Sequence, residues 1–235
     1  MLRDLKAILY FFAIDMRFSF SIFWTIFIAS SFFLLAISYS FSVNMVVSIS
    51  VATYVFCGIA GFLQTKITFP YSIKFGFTRT RYVLGNLVFN VLLAVTMSVI
   101  HLLVNSLLNG ATSILQTTSF SILTTVEGTT LANTWYNHML VDIVLCSLFY
   151  SVCLLLGSVF YRLGLAGGLM LVALVTVTIF FPETRNVLVE QFVAMDNGSI
   201  QLSLPFTLLI TVIVLSALPV WLMLRKASTI AGVAR

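Results

Sequence analysis

Residues 18–65, FSFSIFWTIFIASSFFLLAISYSFSVNMVVSISVATYVFCGIAGFLQT, contain no Asp, Glu, Lys or Arg. A helix crosses about 30 Å of hydrocarbon with about 20 residues. One unbroken helix from Phe18 to Thr65 would far exceed any bilayer, so the run reads as two crossings joined by a tight hairpin at Ser38, Ser40, Ser42 and Asn44. Two more charge-free stretches, Tyr82 to Val126 and Asn197 to Leu224, have membrane length as well. Six spans follow: Ser21–Phe41, Val43–Leu63, Val83–Leu108, Asn137–Tyr161, Leu163–Phe181 and Ser203–Leu224.

Composition agrees. The 235 residues are 60% hydrophobic and only 8% charged, against about a quarter charged in soluble domains, which excludes a soluble single domain. The net charge of +5 comes from 12 basic and 7 acidic residues, too sparse for a nucleic-acid surface. Cys57, Cys146 and Cys153 all lie in apolar stretches and suggest neither a disulfide framework nor a metal site.

Charge placement gives orientation. With the N-terminus cytoplasmic, every basic residue except Arg185 falls in an inner segment, so both termini are expected inside. Before the first span, Leu2, Leu5, Ile8, Leu9, Phe12 and Met16 share one helical face, with Arg3, Lys6, Tyr10 and Arg17 opposite. Residues 1–20 therefore read as a cytoplasmic interfacial amphipathic helix. Asp15 and Arg17 interrupt any signal-peptide core.

The inner connection Gln64 to Tyr82, QTKITFPYSIKFGFTRTRY, mixes Lys66, Lys74, Arg79 and Arg81 with Phe69, Tyr71, Phe75 and Phe77. Pro70 can open a helix and Gly76 can end one. Such a segment is either a docking surface for a partner's groove or a topogenic loop whose aromatics sit at lipid headgroups.

A six-span chain with an amphipathic helix before the first span and a basic connection between the second and third resembles the permease subunits of ABC-2 type ATP-binding cassette exporters. The run Gly76-Phe77-Thr78-Arg79-Thr80-Arg81-Tyr82 is similar to a G-x-[ST]-R-x-x-[FY] pattern of small bacterial members. The resemblance implies an all-α fold of one transmembrane permease domain over residues 1–235, in the bacterial cytoplasmic membrane. It makes the 64–82 connection a coupling segment, with Phe69, Pro70, Tyr71, Lys74, Phe75, Gly76, Phe77, Arg79 and Arg81 facing the ATPase. It also implies a dimer with a second permease copy or paralogue, plus ATPase subunits that carry the ATP and Mg. The chain itself has no GxxxxGK[ST] phosphate loop at any of its lysines and is not expected to hydrolyse ATP by that route. Segment 182–202 matches the outer element of the family, with Pro182 starting a helix and Asn197-Gly198 ending it.

Within the third span, Asn86, Asn90, His101 and Asn105 fall on one helical arc. Amides facing lipid are unfavourable, so the stripe is expected to face protein, as interhelical hydrogen bonding, as a translocation path, or as an ion- or proton-binding site. Asp142, the lone carboxylate placed in a span, should reach the depth of His101, with His138 one turn away. The expectation is a hydrogen-bonded pair and no metal, since two histidines and one carboxylate make a poor ligand set. Gly164 and Gly168 form a GxxxG face, for close helix packing or for a hinge.

The function expected is the membrane subunit of an ATP-driven exporter of a hydrophobic or amphipathic substrate. An ion-coupled secondary transporter is the alternative, although only one half of the chain offers a mid-membrane charge. A membrane-embedded enzyme would need a catalytic pair: Gly157-Ser158 is far in depth from both histidines, and Asp142 has no second carboxylate.

Overall fold

The computed structural model describes residues 2–41, 43–117, 119–196, 199–225 and 227. The expected break at Ser42, the helix end at Asn197-Gly198 and the basic Lys226 and Arg235 lie outside them.

Helix α1, Leu2–Phe41, is one uninterrupted helix of 40 residues. Nothing in it breaks a helix, since it contains neither glycine nor proline. At 1.5 Å per residue it is about 60 Å long, twice the hydrocarbon thickness, and the interfacial helix expected over 1–20 is not a separate element. Its apolar face is buried against the protein: Ile8 and Phe12 are fully covered. They lie on Gly85, where an added Cβ would come within 2.8 Å of Ile8.

Strand β1, Met45–Ser48, leads into α2, Ile49–Leu63. The helical path continues through a widened turn, Gln64–Thr68, where the Phe69 N–H bonds the Gln64 carbonyl five residues back, into α3, Phe69–Lys74. The second span expected from Val43 thus begins as a strand. Helix α4, Arg79–Ile114, is followed by β2, Phe120–Leu123, and a single 3-10 turn, Thr125–Gly128.

Helix α5 runs from Trp135 to Phe180 but is broken at Gly164, whose φ of 72° and ψ of −171° are open only to glycine. The break falls at the boundary expected between the fourth and fifth spans. A Cβ on Gly168 would meet the Phe160 ring at 2.3 Å, so the glycine leaves room for the aromatic ring two turns earlier across the break. Helix α6, Pro182–Phe192, the hairpin β3, Val193–Asp196, with β4, Ser199–Leu202, and α7, Phe206–Arg225, complete the order.

Among the described residues four helices, α1, α4, α5 and α7, are long and apolar enough to cross a membrane. These are the proportions of a membrane-embedded helical protein. The helices join two contrasting ends. At one, β1 pairs in parallel with β2, and Leu202 of the β3–β4 hairpin bridges Thr129. At the other, Arg81 pairs with Asp4 at 3.2 Å, Thr68 donates to Asp15 at 2.7 Å, Arg79 donates to the Arg225 carbonyl, and Arg162 to the Leu222 carbonyl at 3.0 Å.

The seam between α2 and α5 is set by glycine. A Cβ on Gly61 would stand 2.2 Å from the Tyr150 carbonyl oxygen, and one on Gly157 would stand 2.8 Å from that of Phe62. Side chains are therefore excluded and the two backbones approach closely.

Candidate functional site

At the charged end, α3 is closed by a Schellman motif: Gly76, at φ 89°, donates to the Ile73 carbonyl and Phe77 to that of Ser72. Thr78 then caps α4 by accepting the Arg81 N–H at 3.4 Å. Arg79 reaches the last turn of α7, and the Tyr82 hydroxyl donates 2.6 Å to the Gln64 carbonyl inside the widened turn. Gly76, Thr78, Arg79 and Tyr82, the four fixed positions of the seven-residue pattern, each hold this joint between α2, α4 and α7 together.

The aromatic residues of the segment divide in two. Phe69 is fully buried between the Tyr82 and Tyr161 rings, at centroid distances of 5.1 and 5.4 Å, and Pro70 and Ser72 are buried beside it. Phe69 and Pro70 are thus core residues of this chain and are not available to a partner's pocket. The segment expected to face an ATPase narrows to its open side chains: Phe75 is 70% exposed with one edge on Phe11, Tyr71 is 54% exposed beneath the Lys74 ammonium, and Arg81 faces Asp4. Phe77 is half-covered against Phe11. Pro70 opens α3 and the positive φ at Gly76 ends it after six residues, before α4 begins at Arg79.

The second constellation lies between α2, α4 and α5. The Tyr150 hydroxyl donates to Asn86 at 2.7 Å, while Asn90 donates to Ser151 Oγ at 2.8 Å and to the Ser147 carbonyl at 3.2 Å. Ser98 donates to the Met139 carbonyl at 3.1 Å. Farther along, His101 Nδ1 bonds Asp142 Oδ2, and the other Asp142 oxygen accepts the Tyr54 hydroxyl at 2.6 Å. The Tyr54 and Thr125 hydroxyls are 2.9 Å apart. From Tyr82 to His101 this polar column runs about 28 Å along α4, close to the hydrocarbon thickness. Three of its buried atoms, Gln64 Oε1, Asn90 Oδ1 and His101 Nε2, have no hydrogen-bond partner among the described residues.

Asn86, Asn90 and His101 are all buried along α4, each with its own partner, and His101 meets Asp142. Asn105 does not join them: it is only half-buried and accepts from Asn109 at 3.2 Å. His138 bonds Asn133 at 2.6 Å, and among the described residues no three His, Cys, Asp or Glu groups gather as a metal site. Sequence reasoning misses Tyr54 and Tyr150. A signal for them exists, because a phenol inside an apolar run must find a partner for its hydroxyl. No family profile, curated protein or solved structure matches the chain.

Proposed function

We propose that the chain is the permease subunit of an ATP-driven exporter of the ABC-2 type, acting with a second permease copy and separate ATPase subunits that bind the ATP and Mg. The observation that carries this reading is the open Tyr71, Lys74 and Phe75 surface, built on the buried base of Phe69, Pro70 and Ser72. A force applied there passes through the Tyr82–Gln64 bond into α2 and α4 and through Arg79 into α7. Energy from nucleotide hydrolysis needs such a stiff input. The substrate is hydrophobic or amphipathic, in keeping with a column of neutral amides and hydroxyls that holds one carboxylate.

Six crossings with both termini cytoplasmic fit the end-to-end contacts. Asp4 and the Arg225 carbonyl both meet the start of α4, while β1, β2 and β4 gather at the opposite end. The ties of Arg162 to Leu222 and of Leu202 to Thr129, on either side of the part of α5 after Gly164, support reading that part as a separate crossing. A single cysteine at Ser119 should react with an impermeant reagent from outside the cell, and one at Lys74 should not. External labelling at Lys74 would overturn the topology.

The coupling itself is tested by the double variant Tyr71→Ala, Phe75→Ala. Removing two aromatic anchors should cost about 2 kcal/mol or more of docking energy. The ATPase should be lost on affinity purification while the membrane level of the chain stays unchanged. Full retention of the ATPase by the variant contradicts the assignment.

A further inference from the structure

We propose that His101, Asp142 and Tyr54 form a proton-binding site inside the bundle, filled from the strand-bearing end and linked to the cap of that end through Thr125. Both Asp142 oxygens are engaged, one by the His101 ring and one by the Tyr54 hydroxyl, yet His101 Nε2 is buried without a partner among the described residues. With a neutral imidazole beside a carboxylate, the cluster carries a net charge of −1 in surroundings that disfavour an isolated charge. One proton taken from water cancels that charge. It is shared between imidazole and carboxylate, so the titration belongs to the pair.

The facing groups define the route. Helix α2 contributes Tyr54 and Cys57, α5 contributes His138 and Cys146, and the 3-10 turn contributes Glu127. Glu127 is exposed, and His138 stands within electrostatic reach of Glu127, of Asp142 and of His101. Toward the charged end, the buried apolar residues Leu93, Ala94 and Met97 separate the cluster from Asn90. Glu127 and His138 give protons a polar approach from the strand-bearing end.

Occupancy has a mechanical consequence. A carboxylate accepts the Tyr54 O–H in a charge-assisted bond, and proton binding weakens that bond. The same phenol touches Thr125, whose turn leads directly to Thr129 and its bridge to Leu202. Proton release and uptake are thereby tied to how firmly the cap is seated.

The chain has two histidines, which makes the site readable by nuclear magnetic resonance of isotopically labelled histidine in the full chain, purified alone into lipid nanodiscs. The His101 ring nitrogen signals should change from the pattern of a neutral to that of a doubly protonated imidazole as the sample is acidified. Asp142→Asn, which removes the opposite charge, should move that change measurably. Wild-type infrared spectra need no variant: the carboxylate stretching band should change at the His101 midpoint. The proposal is overturned by a His101 signal that does not titrate, by equal midpoints in the two proteins, or by a carboxylate band indifferent to that midpoint. No ATPase takes part in these measurements, so this inference and the exporter reading fail separately.

Discussion

Gly61→Leu should be the most damaging single substitution in the chain. Even its first side-chain atom would stand 2.2 Å from the Tyr150 carbonyl oxygen and 3.0 Å from the carbonyl carbon. That neighbour is backbone within α5, which cannot swing aside as a side-chain tip can. Overpacking a core commonly costs about 1 to 3 kcal/mol, and a clash between two helix backbones belongs at or above the upper limit. Separating α2 from α5 would also pull Tyr54 from Asp142 and Thr65 from the Leu154 carbonyl. The expected result is a large loss of monodisperse protein in detergent and a lowered thermal midpoint by tryptophan fluorescence. Gly110→Ala is the control: a Cβ there meets open space inside α4, and alanine should stabilise by up to about 1 kcal/mol. Equal behaviour of the two variants would contradict the close seam.

Asp142→Leu ranks second. It leaves the Tyr54 hydroxyl with Thr125, and both His101 nitrogens without a partner among the described residues, at a position only 3% exposed. Leaving a buried donor or acceptor unpaired costs about 1 to 3 kcal/mol, above the average of about 0.6 kcal/mol for a membrane interhelical hydrogen bond. Asp142→Asn keeps an acceptor for Tyr54 and should lose much less. Thermal unfolding of the two variants beside wild type measures the difference. If leucine and asparagine are equivalent, the cluster contributes nothing to the bundle.

The spacing of polar residues on α4 makes part of this site legible in the amino-acid sequence. Asn86, Asn90 and His101 recur at helical intervals in an apolar helix, and lipid forbids them any direction but inward. Asn105 obeys the same periodicity and still falls outside, half-buried and bonded to the exposed Asn109 one turn on. Periodicity fixes direction along a helix and says nothing of where a neighbouring helix stops. The joint at Gly76 to Tyr82 is visible as a pattern. Its physical content, a Schellman end, a cap and two side chains reaching carbonyls of other helices, emerges only from the fold. Phe69 shows the converse limit: aromatic residues for docking and for a core are chemically alike, and only packing against Tyr82 and Tyr161 separates them. The amphipathic start of α1 is legible as a face, but lipid and α4 are equally apolar partners for Ile8 and Phe12. Gly61 and Gly157 carry no readable signal of this seam, since a close backbone approach takes its meaning from the partner helix.

The central claim, that α3 hands the motion of a separate ATPase to the membrane helices, is tested most directly by a photoreactive side chain installed at Phe75 in the full chain in its native membrane. The account predicts a crosslinked product containing a nucleotide-binding polypeptide, formed in stoichiometric yield and lost when Tyr71 is replaced by alanine. Crosslinks to lipid alone, with no ATPase adduct in any yield, would contradict it.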